Sequence, residues 1–360
     1  MISSENTNCL QQESKISIME KENRNLNFDI LRVLAAFMVL SVHIGYHIGK
    51  DFGVGAQGVQ LFFILSGYLT FASLQNKSAL HYYKARMKSI FPTYYFCLVL
   101  VYLENIVIAI PKGALAETLN GQCSIRFLRY VFFLQCFIPS DNWSMWNNHN
   151  ALWSMSAFIG FYLIAPLLFK AIKNTYTGIA VVLLALISRP WMINIIKSIF
   201  SNYPEEAHIE WFAEMNPLSE LYCFLLGAVL YVAIKESKQY LYISVVFIGL
   251  IASSLTWYSY EILFVLAVAL AAGCKSITSN NTIAKIIIRL SKGCFTLYLI
   301  HPLVLTVEGY LYRKSGIANE AIHGILLYLC CIVSSYFIYY CIISKIEHAI
   351  IKKKLKCFLP

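Results

Sequence analysis

The sequence predicts an all-α protein, a polytopic membrane helical bundle of about ten transmembrane helices with both termini cytoplasmic. Three observations carry that expectation. The 360 residues are 58% hydrophobic and only 13% charged, with mean hydropathy +0.61, whereas a soluble domain carries roughly a quarter charged residues. Apolar stretches of about 20 residues, enough to cross roughly 30 Å of hydrocarbon, recur along the chain. Basic residues gather in alternate connections, as the positive-inside rule requires.

The apolar stretches fall at 28–48, 57–75, 91–110, 151–169, 178–199, 218–234, 239–256, 258–274, 290–312 and 324–344. The fifth is interrupted by Arg189-Pro190. If the N-terminus lies inside, the inner segments hold 20 Lys and Arg and the outer segments 7. The segment 200–217 is acidic through Glu205, Glu206, Glu210 and Glu214, and its charge places it outside. Residues 1–27 are polar, with no early apolar core, so they read as a flexible cytoplasmic tail and not as a cleaved signal. The transmembrane domain is expected over 28–345, followed by a basic cytoplasmic tail over 346–360. The longest outer segment is 111–150, too short for a separate soluble catalytic domain, so chemistry must be built from helix faces and loops. No internal repeat is visible.

The net charge of +10 does not indicate nucleic acid. The cations sit in short clusters between apolar stretches, where anionic lipid headgroups attract them. Most of the 11 cysteines lie inside apolar stretches, without C-x-x-C or alternating Cys/His spacing, so they read as packing residues and no metal site is expected. Cys123 and Cys136 share one outer segment, which leaves a disulfide open between them.

Polar residues inside the apolar stretches are the informative ones, because a charge in a spanning helix costs several kcal/mol unless it meets a partner or a wet cavity. Arg32 and His43 lie in the first stretch. Their spacing of eleven residues is three turns plus about 20°, so they share one face, separated by ~16 Å along the axis. Arg32 alone reads as a snorkelling residue helped by Asp29, and His43 alone as a core histidine. Together, with His47 one turn further, they point to a polar channel. The second stretch carries Gly58, Ser66 and Gly67. The glycines suit close helix packing, and no local sequence activates Ser66 as a nucleophile. The run Lys84-Ala85-Arg86-Met87-Lys88, ending at Pro92, suits either an inner anchor or a clamp for the phosphates of a cytosolic donor. Asp141 to Asn150, followed by Leu152-Trp153-Ser154, combines aromatics with amides, which suits a membrane-interface belt and a sugar-binding surface equally. His301 precedes Pro302, so a kinked, cavity-lining helix is expected there. Glu104, Asn105, Glu261 and Glu308 are further polar intrusions.

In this order, these residues resemble the acyltransferase-3 family of bacterial membrane O-acetyltransferases across about 28–345. The resemblance rests on Arg32 with His43, on Gly58-Val59 through Ser66-Gly67-Tyr68, and on the basic run before Ile90-Phe91-Pro92. It continues through Leu152-Trp153-Ser154 with Phe161-Tyr162-Leu163, and through Ser291 to Pro302. It implies a multi-pass protein of the bacterial inner membrane that transfers an acyl group, usually acetyl, to a glycan such as lipopolysaccharide O-antigen. Acetyl-CoA is then a donor substrate rather than a permanently bound cofactor, and the acceptor is a glycan, lipid-linked or free. The family's Arg and His fall on Arg32 and His43 as catalytic residues, and its basic motif falls on Arg86. Lys84, Lys88 and Ser66 complete the expected donor contacts, and Trp153, Asn150 and His301 the expected acceptor contacts. Three departures stand out. The family's second Arg position is Ser89, with Lys88 the substitute. Gln60 stands at a frequent Asp position, and Phe158 and Ile159 replace an acidic pair. No hydrolase-like domain is seen in these residues, the pattern of a stand-alone enzyme. On the residues alone, a polar face in a helical bundle suits a transporter of glycans or lipids as well.

Overall fold

The computed structural model describes residues 25–142, 145–148, 151–203, 206–256, 260–275, 282–315 and 319–356, and every regular element among them is helical. The first helix, α1 (Leu26–His47), starts at Asn25, whose side chain accepts the N–H of Asn27. It is followed by α2 (Gly58–Gln75) and α3 (Ala79–Ala109), the latter capped by Ser78. A segment with one longer helix, α4 (Gly121–Val131), leads to α5 (Trp153–Ala171) and α6 (Thr175–Ile199). A capping box of Asn174 and Thr177 closes the start of α6. Next come α7 (Glu206–Glu214), α8 (Leu221–Lys235), α9 (Gln239–Leu255), α10 (Glu261–Gly273) and α11 (Thr282–Ser315). Finally α12 (Glu320–Ile338) passes through a π-helical turn, Tyr339–Ile343, into α13 (Ser344–Lys356).

Each apolar stretch expected from the sequence falls on one of these helices. Among the described residues, six helices are long and apolar enough to cross a membrane: α1, α2, α3, α5, α6, and α12 with its continuation. The helices α8, α9 and α10 are apolar but shorter, and α11 is 34 residues long and carries charges at both ends. Apolar side chains also cover the outside. Val107, Leu167, Leu184, Val333 and Phe337 are 64–68% exposed, and lipid is the solvent that tolerates such a belt.

Two helices run further than the apolar stretches suggested. α3 takes in the whole basic run from Ala79 and passes through Pro92, and α11 begins at Thr282 and passes through Pro302. Hydropathy marks where a helix meets lipid, whereas the helix itself ends at a cap. Arg189-Pro190 does not break α6 either. The buried Arg189 guanidinium donates to the Ser219 carbonyl at 3.1 Å and to Glu214 at 2.9 Å, so the charge is held inside the bundle. Cys123 and Cys136 are free thiols. The expected N-terminal tail lies outside the described residues up to 24, and the expected basic tail is helical as far as Lys356.

The core is built around α2 and α8. At their crossing a Cβ on Gly67 would fall on the Phe224 carbonyl, and one on Gly227 on the Ile64 carbonyl. The two backbones touch, as small residues permit in membranes. Gly58 likewise seats α2 on the Ala35 carbonyl of α1. A second cluster, with Ala36, Leu40, Leu297, Leu305 and Leu327, joins α1 to α11 and α12. These contacts fix α1, α2 and α11, which carry most of the site below. Gly227→Val is expected to destabilise the fold by about 3 kcal/mol. It would be seen as lost protein in the membrane and a lowered detergent melting temperature, and wild-type melting would contradict the close crossing.

Candidate active site

Two cavities lie in the bundle and meet at one side chain. The first, of about 350 Å³, is lined by Arg32, Arg86 and Lys292 together with Ser66, Phe62 and Phe158. The second, of about 550 Å³, is lined by His43, Asp51, Trp153, Lys197, Glu210 and Trp211, among others. Tyr298 lines both.

In the first cavity each arginine is oriented. Arg32 Nη1 lies 2.6 Å from Asp29 Oδ1, one helical turn earlier. Asp29 is fully buried, and the same oxygen accepts the Ser291 hydroxyl at 2.7 Å, which ties α1 to α11. Arg86 Nη2 donates to Thr70 Oγ1 at 3.0 Å, and its guanidinium lies 4.7 Å from the Tyr162 ring centroid and 5.4 Å from that of Tyr82. A planar cation stacked this way presents its remaining N–H donors in a fixed direction. Tyr162 OH donates to Ser66 Oγ at 3.4 Å on the same wall.

Lys84 and Lys88 do not line this cavity. Both stand two residues from Arg86, about 200° around the helix, so their side chains leave the opposite face. Lys292 takes the place expected of them. It lies one residue beyond Ser291, at the start of the family-like stretch Ser291 to Pro302, where sequence reasoning does not single it out. Ser89 is present in the lining, where the family pattern has its second Arg.

The second cavity is built differently. His43 comes from α1 and Trp153 from the start of α5, against Phe63 at 6.2 Å between ring centroids. The acidic segment supplies α7, whose Glu210 pairs with Lys197 at 2.6 Å and whose Glu214 pairs with Arg189. Asp51, Lys197, Glu210, Trp211 and Glu214 are site residues that sequence reasoning misses. The acidity of 200–217 is the one signal of them, and by itself it speaks only to orientation. Asn150 lies outside the described residues.

At the junction, Tyr298 OH stands 2.6 Å from Ser154 Oγ and donates to the Ala151 carbonyl at 3.2 Å. Its ring meets Phe62 at 5.9 Å and His301 at 6.4 Å. The His301 ring meets the His43 ring at 4.9 Å, and His301 Nδ1 lies 2.9 Å from the Tyr298 carbonyl and 3.1 Å from that of Leu297. Arg32 and His43 therefore line different cavities, as their axial separation on one helix face requires, with Tyr298 between. Three cations against one carboxyl, Glu347, leave one end net positive, which suits an anionic molecule. Aromatic rings beside carboxylates and a lysine at the other end suit a polyhydroxylated one. Among the described residues no group of three or more His, Cys, Asp or Glu is arranged to hold a metal.

A family profile described as an acyltransferase domain matches residues 25–343. Nodulation protein 10 of Rhizobium leguminosarum bv. viciae is 24% identical over 229 residues, covering 54% of this chain and 59% of that protein. Peptidoglycan O-acetyltransferase OatA of Listeria monocytogenes serovar 1/2a is 26% identical over 181 residues, covering 46% of this chain and 28% of that protein. The match thus spans less than two thirds of either relative's length. No solved structure matches the chain.

The Asp29 network gives a stability test independent of any activity. Asp29→Ala leaves Arg32 and Ser291 without their shared anion, and the expected cost is about 2–3 kcal/mol, reduced from that of a fully buried pair because Arg32 is partly exposed. Thermal melting in detergent would read it, and an unchanged melting temperature would show that the pair is not structural.

Proposed function

Since the chain belongs to the acyltransferase-3 family, we propose that it is a membrane O-acyltransferase. It moves an acetyl or other short acyl group from a cytoplasmic acyl-CoA to a hydroxyl of a cell-surface glycan, an O-antigen or a related polysaccharide. The observation that carries this reading is the meeting of a cationic cavity and an aromatic, acid-lined cavity at the single side chain of Tyr298. In this reading the protein has ten spans in the bacterial inner membrane, with both termini cytoplasmic. The cationic cavity then faces the acyl-CoA pool and the other faces the glycan. The relative whose name states an activity, the Listeria O-acetyltransferase, supports the same reaction class.

Arg32, Arg86 and Lys292 hold the anionic and polar parts of the donor, and the long uncharged arm of CoA lies among Phe62, Phe158 and Met155 toward Tyr298. Arg32 cannot serve as a base, because its guanidinium stays protonated. His43 is the base, the imidazole that lines the second cavity. It takes the proton of the acceptor hydroxyl as that oxygen bonds to the thioester carbon. The carbon–sulfur bond then breaks, and the proton passes from His43 to the departing thiolate, so the step balances as ester plus free thiol. The Tyr298 and Ser154 hydroxyls, whose hydrogens are engaged with each other and with the Ala151 carbonyl, hold the wall of the junction where donor and acceptor meet. Trp153, Trp211 and Asp51 present stacking and hydrogen-bonding surfaces to the sugar.

Mass spectrometry of surface glycans from cells with and without the protein tests the reading. Glycans are expected to gain the mass of one acetyl group per modified sugar, and His43→Ala is expected to abolish the gain at an unchanged protein level in the membrane. Arg32→Lys is also expected to fail, since a point charge cannot replace a planar one. Persistent acetylation in His43→Ala would remove His43 from the chemistry. An unaltered glycan mass with altered polymer export would turn the reading to transport.

A further inference from the structure

We propose that His301 is the positioning residue of this site, holding His43 in the orientation and tautomer of a base; the inference rests on reading His43 as the base. It begins with the dipeptide His301-Pro302. Proline has no backbone N–H, so the carbonyl four residues earlier, that of Tyr298, loses its helical donor. His301 Nδ1 supplies the replacement at 2.9 Å, with the Leu297 carbonyl at 3.1 Å. A carbonyl oxygen only accepts, so Nδ1 of the neutral ring carries its hydrogen and Nε2 is the lone-pair nitrogen. Pro302 thereby fixes the tautomer of the histidine before it.

His301 is 1% exposed, and its ring meets that of His43 at 4.9 Å with an interplanar angle of 60°. With its tautomer fixed, His301 offers His43 an acceptor. With the rings 4.9 Å apart, a rotation of the His43 ring in the proposed active arrangement brings one N–H to that acceptor and leaves its other nitrogen, with its lone pair, for the cavity that His43 lines. Catalytic histidines are often oriented by a carboxylate. A neutral imidazole does the same orienting work without placing another anion in the bundle, where an unpaired charge is expensive. When His43 accepts the hydroxyl proton, its first N–H remains bonded to His301. The proton then leaves His43 toward the thiolate, so His301 gains and loses none.

The test follows transfer of radiolabelled acetyl groups from acetyl-CoA into the glycan fraction of membranes carrying wild type, His301→Phe, His301→Gln or His43→Ala, at matched protein amounts. His301→Phe keeps a ring but removes donor and acceptor. Its kcat is expected to fall on the order of 100-fold, with KM for acetyl-CoA within about twofold of wild type. His301→Gln carries a donor and an acceptor on one side chain and is expected to recover about tenfold over His301→Phe. A wild-type kcat in His301→Phe, equal losses in the two variants, or a loss confined to KM would overturn the proposal. If His43→Ala is inactive while His301→Phe is not, only the role of His301 falls. If His43→Ala is active, the reading of the base falls with it.

Discussion

Hydrocarbon offers a polar group no hydrogen bond, so each polar side chain within the bundle must find its partner in the protein. Much of the architecture follows from that constraint. Asp29 answers Arg32 and Ser291, and Glu214 and the Ser219 carbonyl answer Arg189. Tyr222 and Thr256 donate to Glu261. Three of these six bonds join different helices, so satisfying the polar groups also sets how the helices stand against one another. The glycines of α2 and α8 add the close crossing that brings the polar faces together.

The same constraint explains the division of the site. A continuous wet passage would let water and ions through, whereas two cavities separated by a hydrogen-bonded tyrosine keep the barrier and bring both ends within reach of one place. Tyr298 shares the wall of both cavities, Ser154 holds its hydroxyl, and His43 and His301 stand beside it. In the proposed reaction, the acyl group crosses at this point while the bulk of the donor and of the acceptor stay on their own sides.

Much of this is legible in the sequence. The apolar stretches locate the helices, because length and hydropathy are local properties. Arg32 and His43 are recognisable because a charge and an imidazole on one helical face are costly in lipid, and their spacing alone sets them far apart along the axis. The rest depends on relations that a single helix does not display. Lys84 and Lys88 belong to the same basic run as Arg86, yet helical geometry turns them away from the cavity. Lys292, Asp51 and the α7 residues enter the site through tertiary contacts between distant segments, and the acidity of 200–217, which speaks only to orientation, is the nearest thing to a local sign of them. Tyr298 lies in plain view three residues before His301, but only the neighbouring helices make it a partition.

The most direct test of a two-sided site uses sealed membrane vesicles of opposite orientation, each containing the protein and its endogenous glycan acceptor. Radiolabelled acetyl-CoA is supplied only to the exterior. Label is expected in the glycan when the exterior is the face bearing Arg32, Arg86 and Lys292, and none when it is the face bearing His43 and Trp211. Equal labelling from both faces would contradict a two-sided site, because one cavity would then serve donor and acceptor alike.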